Sequence, residues 1–278
     1  MKGPLRSLEM APPKEKEEIL RLKKKVALIT GGNAGIGRVI AGQFAQEGAR
    51  IALCGRRRDL VEKVENEIRE SGADVIGFVT NVGAEEEVKS MVARTVEAFG
   101  TIDILVNNAA AEGPTSPIHE IEGNDWRNVV DTNLNGVFYC TKYVLPIMIA
   151  KRSGNILNIG SIAGVYAYPL RTPYNATKWA IAGVTQTIAA EVGPHNIRCN
   201  CLSPGPTEGD RAFNVIRKRA EATGKTFEEM KKSYEDQIPI RRFVTPEEVA
   251  KAALFLVTEE SSGMTAQHIC VSGGIEVL

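Results

Sequence analysis

The sequence predicts a three-layer α/β fold, a single domain built on a doubly wound parallel sheet. Short apolar runs alternate with helix-like stretches along almost the whole chain. The runs lack the polar alternation of a half-exposed sheet, as strands covered on both faces require. A glycine-dense turn follows the first run and opens the first helix.

The elements follow in order. Val26–Thr30 (VALIT) is the first strand, Gly31–Gly37 (GGNAGIG) the turn, and a helical pattern continues through Gln46. A strand at Ile51–Cys54 precedes a charged helical stretch at Asp59–Glu70. Strands at Val75–Val79 and Ile102–Val106 flank a helix at Glu85–Phe99. Helical stretches then cover Trp126–Lys151, a strand Asn155–Ile159, an alanine-rich helix Tyr174–Val192 and a strand Ile197–Leu202. Pro246 opens a helix that runs to Thr258, since proline suits a first helical turn, and His268–Val271 is the last strand. This reads as one domain over 25–278, preceded by an N-terminal tail and short surface helix over 1–24. Residues 205–240 depart from the rhythm. They are polar and charged, with helical pieces at Arg211–Ala222 and Phe227–Tyr234 on either side of Gly224. A segment beyond a strand's carboxyl end is a candidate substrate lid.

The 278 residues carry 34 basic and 34 acidic side chains. That balance supplies no overall attraction to nucleic acid or an anionic membrane. No apolar run approaches a membrane span, and the first residues hold no secretory core. The expectation is a cytoplasmic protein without a nucleic-acid or membrane partner. Five cysteines, an odd number without a CxxC pair, read as buried free thiols rather than zinc ligands.

Gly31, Gly35 and Gly37 sit between a strand and a helix, where a tight turn lets backbone approach a pyrophosphate. Their GxxxGxG spacing, followed by strand and helix in series, predicts a Rossmann-like dinucleotide site. After the second strand come Gly55, Arg56, Arg57 and Arg58, with no carboxylate before Asp59. An acid there would hold an adenosine ribose, whereas arginine forks suit a 2′-phosphate. NADP(H) is therefore expected over NAD(H), with Arg56 as the first phosphate candidate and Arg57 beside it.

With TGGNAGIG (Thr30–Gly37), NNAA (Asn107–Ala110), Asn133 in DTNLNG, Ser161 in NIGSIAG, YNATK (Tyr174–Lys178) and the Pro204–Gly205 pair in order, the chain resembles the short-chain dehydrogenase/reductase family. The resemblance runs from about Lys25 to Val277. It implies catalytic roles for Ser161, Tyr174 and Lys178, and a supporting role for Asn133 toward Lys178 and a relay water. It implies cofactor contacts from Gly31, Asn33, Ala34, Gly35, Ile36 and Gly37, from Asn81 and Val82, from Asn108 and Ala109, and from Pro204, Gly205 and Thr207, besides Tyr174 and Lys178. Three positions depart from the pattern: Ala110 replaces a glycine, Asn81 an aspartate, and Gly209 a threonine near the carboxamide.

Tyr174 and Lys178 stand four apart and so share a helix face. A free phenol, with a pKa of about 10, is a poor base near neutrality, and an adjacent ammonium lowers it. The expected reaction is reversible hydride transfer between a ketone and a secondary alcohol, with Ser161 on the substrate oxygen and no metal. The small-molecule substrate could be a 3-oxoacyl thioester, a sugar or polyol, or a small hydroxy acid. A non-catalytic dinucleotide sensor is the alternative of another class. Small residues along the alanine-rich helix suggest a homodimer or homotetramer.

Overall fold

A computed structural model describes residues 20–275. The surface helix expected before residue 25 falls mostly outside them, and residues 21–24 form a turn. The chain runs β1 (Val26–Thr30), α1 (Gly35–Gln46), β2 (Arg50–Gly55), α2 (Arg58–Glu70), β3 (Val75–Val79), α3 (Glu85–Phe99) and β4 (Ile104–Asn107). It continues with α4 (Gly123–Val130), α5 (Gly136–Lys151), β5 (Gly154–Ile159), α6 (Thr172–Val192), β6 (Ile197–Pro204), α7 (Asp210–Thr223), α8 (Phe227–Gln237), α9 (Pro246–Val257) and β7 (His268–Val271).

The strands form one parallel sheet in the order β3-β2-β1-β4-β5-β6-β7. Helices cover both faces, as the unbroken apolar strands demand. On one face Phe44 of α1, Val64 of α2 and Leu254 of α9 pack against Ile29 and Leu53. On the other, Met91 of α3, Val144 of α5 and Ala189 of α6 pack against Leu28 and Ile156. Burying each such side chain contributes roughly 1.5–3 kcal/mol. The strand order reverses between β1 and β4, and a cleft at the carboxyl ends of strands around such a reversal is where α/β sheets bind ligands.

Two expectations shift. The fourth strand begins at Ile104 rather than Ile102, because the Asp103 carboxylate accepts the Val26 N–H at 2.8 Å and pairs with Lys151. The helical stretch at Trp126–Lys151 is two α-helices joined by a π-helical turn, Asp131–Asn135. Trp126, on α4, is 39% exposed. The segment after β6 does form two helices, α7 and α8, and their Ile216, Ala220 and Met230 join Ile238 and Phe243 in a small core shared with Ile162 and Ile275.

Candidate active site

The glycine turn meets the end of β4. Thr30 closes β1, and its hydroxyl accepts the N–H groups of Asn108 and Ala109 at 2.9 and 3.0 Å. The Asn108 amide donates back to the Thr30 and Gly31 carbonyls at 2.9 and 3.1 Å. Contact is so close that a methyl on Gly37 would overlap Asn108 and the Gly31 carbonyl. Gly31 adds a left-handed φ of 64°, which favours glycine.

α1 begins here without a side-chain cap and without an acidic residue in its first turn. α3, by contrast, carries Glu85, Glu86 and Glu87 in its first turn. The opening N–H groups of α1 are thus left for an external anion. At the end of β2, the Asn33 side chain lies where any side chain on Gly55 would project. Arg56 and Arg57 follow, both exposed and without an ion-pair partner among the described residues, whereas Arg58 faces Glu62 at 3.6 Å. Arg56, Arg57, Asn81 and Val82 line a side pocket of about 140 Å³. Asn81 already accepts the Gly83 N–H at 3.1 Å, and Val82 packs against Gly136.

The main cavity has a volume of about 780 Å³. Gly31, Asn33, Ala34, Gly35, Ile36, Arg57, Asn108 and Ala109 form one side. Ser161, Tyr174, Lys178, Pro204, Gly205 and Thr207 form the other. Gly37 and Asn133 are not on the wall; both stand behind it. These residues fit a dinucleotide: a Cβ-intolerant turn, an uncapped helix start and two arginines without an ion-pair partner among the described residues, set around the cavity and its side pocket.

Tyr174 and Lys178 project from the first turns of α6, where Pro173 is well placed. Lys178 is 4% exposed, and its ammonium donates to the Ile159 carbonyl at 2.7 Å. It lies 5.6 Å from the Tyr174 ring centre. Burial pushes the Tyr174 phenol up, but Lys178, Arg211, a hydrogen bond from Ser161 and Arg171 together hold it below its usual value. Burial likewise draws the Lys178 ammonium down, opposed by Tyr174. The Ser161 hydroxyl accepts the Ala163 N–H at 3.1 Å, which fixes it at the head of a short 3₁₀ turn.

Asn133 lies in the π-helical turn. Its amide oxygen accepts the Ala111 N–H at 2.7 Å, and its NH₂ donates to the Ala111 carbonyl at 3.2 Å and the Thr177 hydroxyl at 3.1 Å. It therefore ties the loop after β4 to α6 rather than bonding Lys178 directly. The Thr207 hydroxyl donates to the Gly205 carbonyl at 3.0 Å, and Gly209 caps α7 with φ of 135°.

Arg171, just before α6, escaped the sequence reading. It is 2% exposed and sits 5.3 Å from the Tyr174 ring centre, and its neighbours come from the loop after β4. Its place three residues ahead of Tyr174 gave no periodic signal, because Arg171 precedes the helix.

Fold, glycine turn and the tyrosine–lysine pair on the cavity wall together define a nicotinamide-dinucleotide oxidoreductase that interconverts carbonyl and alcohol groups. A family model described as enoyl-(acyl carrier protein) reductase matches residues 31–276, and the chain belongs to the short-chain dehydrogenase/reductase family. The 3-oxoacyl-acyl-carrier-protein reductase FabG of Thermotoga maritima is 36% identical over 258 residues, covering 93% of this chain and all of that one. A crystal structure of an NAD⁺-bound xylitol dehydrogenase matches with a TM-score of 0.89 at 32% identity, covering 91% of this chain and 100% of the other. An actinorhodin polyketide ketoreductase with NADPH matches with a TM-score of 0.88 at 34% identity, covering 91% and 98%.

Proposed function

We propose that the protein is an NADP(H)-dependent reductase interconverting a ketone and a secondary alcohol, with Tyr174 as its proton donor and acceptor. The observation that carries this reading is the cationic setting of Tyr174 on the wall of the dinucleotide cavity. The bound nicotinamide supplies or takes up the hydride. Tyr174 gives its proton to the carbonyl oxygen in reduction and recovers it in oxidation. Ser161 donates a hydrogen bond to the same oxygen, and that bond strengthens as negative charge develops. Lys178, steadied by the Ile159 carbonyl, keeps the phenol acidic. Asn133 is a positioning residue through Ala111 and Thr177.

Gly31, Asn33, Ala34, Gly35, Ile36, Arg57, Asn108, Ala109, Pro204, Gly205 and Thr207 line the cofactor's path, Gly37 supports it, and Asn81 and Val82 border the adenine end. The preference for NADP(H) rests on Arg56 and Arg57, unpaired beside a Gly55 that Asn33 covers. The fold alone does not choose, since NAD⁺-bound and NADPH-bound relatives match it about equally. The FabG relatives are named for a 3-oxoacyl substrate, which supports a reducible carbonyl two carbons from a carboxyl-level carbon, and α7–α8 serve as the lid over it. We assign the protein to the cytoplasm; no helix among the described residues is long and apolar enough to cross a membrane. Exposed Phe138 on α5 and Trp179 on α6 support a homodimer or homotetramer.

The test is a spectrophotometric panel of carbonyls with NADPH and NADH. NADPH should be consumed faster, and alcohol oxidation should rise with pH from below the ordinary phenol range of about 10. Tyr174→Phe should lower turnover about 10²- to 10⁴-fold while NADPH still binds. Near-normal turnover in that variant would overturn the assignment.

A further inference from the structure

Two guanidinium groups crowd Tyr174 in addition to the Lys178 ammonium. Arg171 lies 5.3 Å from the ring centre and Arg211, on α7, 5.9 Å. The NH₂ groups of Arg171 donate to neutral partners, the Glu112 carbonyl at 2.8 Å and the Thr115 hydroxyl at 3.3 Å. Its Nε is buried without a partner. Among the described residues no carboxylate stands within ion-pair distance of it. A cation 2% exposed, on a cavity wall and without a counter-ion, is a costly arrangement. Arg211 is barely better matched: Glu112 is 3.8 Å from its Nε and 4.0 Å from Lys218.

We infer that the substrate brings the missing charge: it is a short oxo acid whose carboxylate docks on Arg171 and Arg211, one or two carbons from the carbonyl that is reduced. This rests on the reading of Tyr174 as proton donor. The spacing sets the chain length. Carbon–carbon bonds of about 1.5 Å place a carboxyl on the next or next-but-one atom within about 2.5 Å of the reacting carbon, and both arginines stand beside the ring that serves that carbon. A phosphorylated carrier arm would hold its anion many bonds further out. Two forked donors also suit the two oxygens of a carboxylate. The bound anion has a chemical consequence. Lys178, Arg171 and Arg211 all pull Tyr174 toward phenolate, and a carboxylate on the two arginines returns it toward the protonated form that reduction needs.

The experiment compares 2-oxo and 3-oxo acids with their methyl esters as substrates of the full-length enzyme with NADPH. The acid should exceed its ester in kcat/KM by about ten- to a hundredfold, the range of a charge-assisted hydrogen bond. Arg211→Leu, at a half-exposed position that tolerates change, and Arg171→Lys, which keeps the charge but loses the fork, should each move the acid-to-ester ratio toward one. Rapid reduction of esters or 3-oxoacyl thioesters with acids inert would overturn the inference while leaving the reductase reading intact. A ratio unmoved in both variants would overturn it as well. Absence of turnover with every carbonyl would remove both.

Discussion

The two walls of the cavity are made of different material. The wall under the dinucleotide is backbone and short side chains, so closely fitted that added methyls on Gly31, Gly37 or Gly55 would each collide with a neighbour. The opposite wall mixes long polar groups, Arg171, Arg211, Glu112 and a Tyr168–Tyr234 hydroxyl pair at 2.6 Å, with apolar Ile162, Val215 and Ile216. The small core beneath α7 and α8 backs part of it. A backbone wall recognises something that never changes, and protein interiors tolerate little intrusion. A side-chain wall can be rewritten without disturbing the sheet. The cofactor half is thus fixed by close approach, and on the proposed reading the substrate half is set by charge.

The sharpest way to break this contrast is Gly37→Ala. The added methyl meets Asn108 and the Gly31 carbonyl, so the turn must open. Overpacking of this kind costs about 1–3 kcal/mol. NADPH affinity should fall by about tenfold or more, as measured by calorimetry, with turnover falling alongside it. Unchanged affinity would mean that the turn yields as readily as the substrate wall. A cofactor-selective effect is expected at the rim, where side chains take over from backbone. Arg56→Asp with Arg57→Asp should weaken NADPH by about ten- to a hundredfold through loss of charge-assisted bonds, and NADH much less. Equal losses would remove the phosphate assignment.

The same contrast decides what could be read from the sequence. The fold was legible because apolar runs without alternation have one stable arrangement, and every strand lies within two residues of its expected bounds. The glycine turn was legible because close approach demands glycine itself. That Ser161, Tyr174 and Lys178 share one cavity wall was legible from the family resemblance and the four-residue spacing of the last two. The role of Asn133 was not. A π-helical turn has no sequence period of its own, and the Ala111 contact spans 22 residues of chain. Arg171 was invisible for a related reason. Its partners Glu112 and Thr115 come from the loop after β4, which only the folded chain brings near Tyr174.

The smallest effect separates the two halves as folding units. α8 and α9 open with the same capping box. Thr226 and Thr245 accept the N–H of Glu229 and Glu248 at 3.2 Å, and each glutamate returns a 2.8 Å bond. What lies behind the caps differs. α9 rests on the sheet through Val249, Ala250 and Leu254, whereas α8 buries Met230 in the small core of the lid. Losing a threonine cap costs about 1 kcal/mol. Thr245→Ala should subtract that amount from the main denaturation transition. Thr226→Ala should leave that transition in place and raise amide exchange across 227–237 instead, because a unit of few buried contacts opens on its own. The α9 cap should also resist acid. A hydrogen-bonded pair with Arg242, together with the Thr245 N–H, holds the Glu248 carboxyl down to about 2. Its contribution is therefore complete above the ordinary carboxylate range and is lost only as pH falls toward 2. Equal shifts of the main transition in the two variants would show that lid and sheet melt together, and the substrate wall would then be as rigid as the wall beneath the cofactor.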